Sequence, residues 1–197
     1  LGSDGAFTAG NDIADFVRFA EDGAIGEPVQ AFLRTLAKTE KPMVAGVDGL
    51  AIGIGTTLLL HCDLAYASQR SIFRTPFTDL GLVPEAASSL LAPRLMGHVR
   101  AFEMLVSGKP LTAEEALNAG LLNAVTSDEE LEDVAIRAAA DLAAKPPEAV
   151  AISRQLLRGE RDDVVRQIDL ELQHFADRLK SSEAQTAFAA FLNKVKA

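Results

Sequence analysis

A chain of 197 residues, 48% hydrophobic and 24% charged, can bury one sizeable core but is short for two independent domains. Its 19 Lys and Arg against 28 Asp and Glu leave a net charge of -9, which opposes a general nucleic-acid surface and any attraction to anionic lipid. The longest apolar runs break well before the ~18 residues a membrane-spanning helix needs, no charged-then-apolar leader opens the chain, and Cys62 is the sole cysteine. A soluble, cytoplasmic protein without an internal disulfide is expected.

Residues 1–7 read as the end of a strand running into a Gly-rich turn with no earlier element to pair with, so sequence ahead of Leu1 is expected to be missing. FTAGND (7–12) is a second small-residue turn, in which Asn11 suits a turn and Asp12 a helix cap. Val29, Phe32, Leu33 and Leu36 recur at i, i+3, i+4 and i+7 after Pro28, which predicts a helix to about Lys38, stopped by Lys41-Pro42. The β-favouring run 43–47 enters the glycine-spaced DGLAIGIG (48–55). TTLLLHC (56–62) then reads as a buried helix and residues 63–68 as a return strand, which together make an α/β unit.

Residues 73–82, with Pro76 and Gly81, read as irregular. Val83-Pro84-Glu85 leads into a helix carrying Ser88, Ser89, Leu90 and Leu91, so Glu85 lies near a helix start. A helix over 100–106 stops at Gly108. Thr112 and Glu115 form a capping box for a helix that stops at Gly120, and Ser127 and Glu130 form another. Lys145-Pro146-Pro147 divides that helix from one through Leu157, and helices over 164–179 and 182–195 complete an α-rich tail. Val165, Ile168, Leu172, Phe175 and Leu179 stripe the first of these, and Ala187, Phe188, Phe191, Leu192 and Val195 the second. Such stripes must be buried, either on the chain's own core or against a second subunit.

The glycine segment fails the dinucleotide fingerprint, because Leu58 stands at the third glycine position, and no GxxxxGK[ST] occurs. It does place backbone N–H groups near Ile54 and Gly55 at a helix start, where a developing oxyanion is stabilised or where a tight turn is simply structural. His61, His98 and His174 lack the spacing of a metal site or nucleophile dyad and read as surface or packing residues. Ser88 and Ser89 lie in no GxSxG elbow.

Four ordered stretches, FTAGNDI (7–13), KPMVAGVDGLAIGIGTTLLLHCDLAYAS (41–68), FRTPFTDLGLVPEAASSLLAPRLMG (73–97) and LTAEEALNAGLLNAV (111–125), resemble the enoyl-CoA hydratase/isomerase (crotonase) superfamily, nearest its Δ3,Δ2-enoyl-CoA isomerase branch. The resemblance implies an α/β fold: a crotonase-like spiral of ββα turns over 1–140, incomplete at its N-terminus, and a C-terminal helical region over 141–197 that builds homotrimers or hexamers. It implies an acyl-CoA thioester substrate, coenzyme A arriving as part of that substrate with no further cofactor and no metal, and a setting in fatty-acid β-oxidation.

For the site, the resemblance implies an oxyanion hole formed by the backbone N–H groups of Asn11 and Ile54, with Ala9, Gly10, Asp12 and Ile13 lining the CoA path. Ile54 stands where glycine is usual, which a backbone role tolerates. Where a hydratase of the family carries its two glutamates, this chain has Thr57 and Phe77, neither able to transfer a proton at neutral pH. Glu85, in LVPEAASS, matches the glutamate that the isomerase branch uses as its base, with Phe77 as an apolar wall; Asp79 is the other nearby carboxylate, a second base or a loop cap. Without the resemblance, Glu85 is a first-turn glutamate that complements a helix dipole. The implied activity is the shift of a 3-enoyl-CoA double bond to the 2-position. Hydration or another reaction of the family is one alternative, and a non-catalytic acyl-CoA-binding subunit is another.

Overall fold

The computed structural model describes residue 2 and residues 5–22 and 25–195. Its strands divide between two sheets. One has the order β1 (Ala6–Thr8), β3 (Leu50–Ile52), β5 (Ile72–Arg74), β6 (Leu111–Thr112); the other runs β2 (Val44–Val47), β4 (Leu64–Ser68), β7 (Ala124–Thr126). All neighbouring pairs are parallel except β5 with β6. Consecutive strands β2 and β3 fall in different sheets, as do β4 and β5, so each pass of the chain contributes one strand to each layer before a helix closes the turn. This is a spiral of ββα units.

The strand corners are tied by side chains. Asp48, after β2, accepts from Ser68 Oγ at 2.8 Å and Arg70 Nε at 2.8 Å, and Ser71 Oγ donates to the Val47 carbonyl at 2.8 Å. Alanines at 45, 65 and 67 are buried along β2 and β4, where small side chains let α6 (Leu131–Ala143) approach the sheet.

Helices α1 (Ile13–Asp22) and α2 (Glu27–Lys38) lie under α8 (Arg161–Leu179), and α9 (Ser182–Val195) crosses α1. Phe16 on α1 meets Phe175 on α8 edge-on, with ring centroids 5.6 Å apart. Ile168, Leu172, Phe175 and Leu179 are buried, so the stripe of α8 packs on the chain's own core. On α9, Phe188 is buried while Phe191 is 43% exposed. α7 (Pro147–Arg158) instead presents Ile152, Leu156 and Leu157 outward.

Several elements differ from the sequence expectations. Of the strand expected over 1–7, residues 1, 3 and 4 lie outside the described residues; the pairing segment is β1, and it has a partner in β3. Residues 48–55 hold a strand as well as a turn. Residues 56–62 are divided between a single turn of helix, α3 (Ile54–Thr57), and a 3-10 turn at Leu58–His61. The irregular 73–82 includes part of β5. α4 (Ser88–Leu105) is divided at Gly97, whose φ of 77° leaves the helical region, so that two helical stretches flank it as the sequence led one to expect. The box at Thr112 forms in both directions and starts α5 (Ala113–Asn118). Ser127 instead donates to the Glu130 side chain at 2.7 Å, and α6 starts without a side-chain cap. Cys62 is half-buried, and burial pushes its thiol up to about 11, too high for a reactive thiolate. Among the described residues no helix is long and apolar enough to cross a membrane.

Candidate active site

Two glycine turns and one strained turn converge on a cavity of about 350 Å³. The first turn follows β1, where Gly10 has φ 86° and a Cβ there would lie 2.9 Å from the Ile52 carbonyl oxygen. Only glycine fits this crossing of β3. Asp12 then caps α1, its Oδ1 accepting from the Ala14 N–H at 2.8 Å. The second turn follows β3: Gly53, at φ 57° and ψ -118°, reverses the chain so that Ile54 opens α3. The Ile54 N–H is thus one of the donors that a helix start leaves without an intrahelical partner.

The third turn carries Glu85. Ala86 and Ala87, at φ 60° and 54°, are the non-glycine residues with left-handed backbone among the described residues, a conformation that costs of order 1–3 kcal/mol each and persists only where the surroundings enforce it. Ala86 is held by His61, whose Nε2–H donates to the Ala86 carbonyl at 2.7 Å. Ala87 is held by Glu171 of α8, whose Oε2 accepts its N–H at 2.6 Å. α4 starts only after this pair, so Glu85 precedes the helix and is not part of its first turn.

The cavity wall brings together most of the residues that the resemblance singled out; Thr57 does not line it but bonds to Glu85. Ala9, Gly10, Asn11, Asp12, Ile13, Ile54, Phe77 and Glu85 all line it, and Phe16, Leu80, Leu82, Phe175, Phe191 and Leu192 complete an apolar surface. Glu85 is 5% exposed. Its Oε1 accepts from Thr57 Oγ1 at 2.5 Å, while Oε2 is buried without a hydrogen-bond partner. Burial pushes this carboxyl up to about 8; the Thr57 hydroxyl works against the rise and the charge of Glu171 adds to it. The result is a strong base in a largely apolar chamber. Asp12 is the other carboxylate on the wall, and it is engaged as a cap. Asp79 does not line the cavity: it pairs with Arg74 at 2.9 Å near the surface.

His61, read from the sequence as a surface or packing residue, is a packing residue whose hold on Ala86 was not foreseen, and Glu171 escaped the sequence reading. His61 is 1% exposed, and burial depresses its pKa, so it is a fixed neutral donor. The signal for Glu171 is positional: it falls three residues after Ile168 and four before Phe175, inside the apolar stripe of α8. A carboxylate on a buried helical face requires donors; here they are the Ala87 and Ser89 N–H groups and the Ser89 hydroxyl. Burial raises its carboxyl to about 7, against the pull of those donors.

The fold and this constellation define a spiral α/β protein with an apolar chamber, backbone donors at two turns and one buried carboxylate with a single unpartnered oxygen. The profile of the enoyl-CoA hydratase/isomerase family matches residues 1–197, and the chain belongs to that family. Enoyl-CoA delta isomerase 2 of Rattus norvegicus is 35% identical over 196 residues, covering 95% of this chain and 50% of that protein. For 1,2-epoxyphenylacetyl-CoA isomerase of Escherichia coli (strain K12) the identity is 32% over 200 residues, 98% of this chain and 76% of that one. The crystal structure of an enoyl-CoA hydratase/isomerase from Pseudoalteromonas atlantica T6c superposes with a TM-score of 0.89 at 42% identity, covering 98% of this chain and 76% of its own. The chain spans about half the length of the delta isomerase it matches.

Proposed function

We propose that this chain shifts the double bond of a 3-enoyl-CoA thioester to the 2-position, with Glu85 as the single acid-base group. The observation that carries this is the state of the Glu85 carboxylate: Oε1 is engaged by Thr57, and Oε2 is buried, unpartnered and part of an apolar wall. In the proposed step Oε2 takes the proton from C2, the electron pair spreads into the thioester carbonyl as a dienolate, and the same carboxyl returns the proton to C4. No proton is gained or lost overall. The developing oxyanion lies between the Asn11 and Ile54 N–H groups, where losing one such donor is worth about 3–4 kcal/mol in studied enzymes. The residues from Ala9 to Ile13 receive the CoA portion.

Hydration asks for more. A water must be activated while the α-carbon is protonated, work that suits two carboxylates, and Thr57 and Phe77 stand where the resemblance would place them. The similarity to proteins named delta isomerase and epoxyphenylacetyl-CoA isomerase supports isomerisation over hydration. Acyl-CoA degradation is the proposed setting. A trimer or a pair of trimers is the proposed assembly, and the outward Ile152, Leu156 and Leu157 of α7 give it apolar area to cover. Sedimentation at a monomer's mass would remove that part.

Paired assays test the chemistry. With a 3-enoyl-CoA, conjugated absorbance should grow; with a 2-enoyl-CoA, nothing should change. Glu85→Gln should retain thioester binding and lose at least ~100-fold in turnover. Fast hydration of the 2-enoyl substrate, or near-normal turnover by Glu85→Gln, overturns the proposal. Thioester binding without α-proton exchange in deuterated water would mark a binding subunit instead.

A further inference from the structure

We propose that Glu171 is a positioning residue for the isomerisation: it holds Ala87 in its left-handed backbone and so fixes the direction in which Glu85 enters the cavity. This rests on Glu85 being the base. Glu171 does not line the cavity; it acts from behind, through the turn.

Both of its oxygens serve one short segment. Oε2 accepts the Ala87 N–H at 2.6 Å, and Oε1 accepts the Ser89 N–H at 3.0 Å as well as the Ser89 hydroxyl. Gln167, one helical turn earlier on α8, donates to that hydroxyl at 2.9 Å. A helix start is ordinarily capped by its own N-cap side chain. Here the N-cap is Ala87, which has no side-chain acceptor, and the acceptor comes from a residue 84 positions later. The capped group belongs to one of the two strained alanines, and the His61 bond to the Ala86 carbonyl grips the other.

The consequence is directional. An alanine returned to right-handed backbone would extend α4 backwards and rotate the peptide that follows Glu85, carrying its carboxyl away from Thr57. The carboxylate of Glu171 resists that relaxation, because its charge-assisted bonds to the Ala87 and Ser89 N–H groups hold the turn in the strained geometry. Helix stabilisation alone would not need the left-handed pair.

Glu171→Gln in the full-length protein is the test, read as kcat, KM, affinity for a saturated acyl-CoA and thermal midpoint. The expected result is a fall in kcat of about 10²-fold, the scale of an ångström-sized misplacement, with KM and thioester affinity within about twofold of the parent. In the Glu85→Gln background the same change should add little, because the group it positions is already gone. Should Glu171→Gln not fold, Glu171→Asp keeps the charge and withdraws it by one methylene; it should lose kcat with KM intact. Full kcat in either variant while Glu85→Gln is inactive overturns the positioning role alone. Losses that multiply independently in the double variant also overturn it, since they describe a structural defect. An active Glu85→Gln instead removes the base assignment beneath it.

Discussion

Thr57 Oγ1 donates to Glu85 Oε1 at 2.5 Å, so the residue standing at one of the hydratase glutamate positions is the hydrogen-bond partner of the carboxylate this chain has. A hydroxyl that donates to a carboxylate favours its charged form, and a bond to a charged group contributes about 1.5–3 kcal/mol. Thr57→Val keeps the shape and removes the donor. The pH–rate midpoint should move up by about one to two units, at roughly 1.4 kcal/mol per unit, and kcat at neutral pH should fall while thioester affinity stays the same. A midpoint that does not move would mean the bond does not tune the base.

The pH dependence of activity and that of stability should run in opposite directions. Glu85 is held at about 8 against an ordinary 4.5, and a base works deprotonated, so kcat/KM for a 3-enoyl-CoA should climb through neutral pH and level off above about 8. Stability follows linkage: the folded chain keeps a proton that the unfolded chain has released, so the contribution of Glu85 is full below 4.5 and is lost as pH rises to about 8. Glu85→Gln removes that loss. The thermal midpoint of the variant minus that of the parent should therefore grow across this window. Melting curves at a series of pH values check this, and a flat difference would contradict a buried neutral carboxyl.

Phe77 is 5% exposed and lines the cavity with Glu85. Phe77→Ala should cost about 3 kcal/mol of stability through lost burial and the space left behind. Water entering that space would re-solvate the carboxylate, so the rising limb of the rate profile should shift to lower pH. Urea denaturation reads the first effect and the pH profile the second. A stable variant with an unmoved profile would show that another part of the chamber keeps Glu85 dry.

These features were unequally legible in the sequence. Helix ends such as Lys38, Gly120 and Leu179 are written in adjacent residues, by periodicity, capping and glycine, and the structure puts helix ends at or within two residues of each. LAI of β3 and IFR of β5 are three residues long, too short for an alternating pattern to declare itself. The kinked α4 divides at Gly97, where a glycine permits a bend that periodicity reads as a gap. At the site, Glu85, Thr57 and Phe77 were recognisable through the motif around them. Their geometry was not, because the strained turn is enforced by His61 and Glu171, 25 and 84 positions from the backbone groups they hold. Long-range enforcement of this kind leaves no local mark beyond a carboxylate inside an apolar stripe.

Asp63 joins α7 to the spiral. It accepts Arg154 Nε at 2.8 and 2.9 Å, Arg158 Nε at 3.0 Å and the Met43 N–H at 2.8 Å, while Arg154 also donates to the Thr39 and Glu40 carbonyls. Arg154 is 7% exposed. Asp63→Ala leaves this buried guanidinium without its counter-charge and should destabilise the fold by about 3 kcal/mol. Replacing Arg154 by Met as well should recover part of that loss, since the orphaned charge is then gone. Chemical denaturation of the two variants decides it, and a double variant no more stable than Asp63→Ala would place the cost elsewhere.

The proposed oxyanion hole is a matter of backbone, which separates its two members from their side chains. Asn11→Ala removes an amide side chain and leaves the N–H, so kcat should change by less than about threefold, well under the ~100-fold expected of a lost donor. Ile54→Pro removes the N–H at the first position of α3, where a helix tolerates proline because that donor has no intrahelical partner. Its kcat should fall by about 10²–10³-fold, with the thermal midpoint close to the parent's. The loss should be shared by kcat and kcat/KM, because the interaction belongs to the dienolate more than to the bound thioester. Full activity in a folded Ile54→Pro variant would move the oxyanion to other donors in the cavity and leave Glu85 without the partner that its chemistry needs.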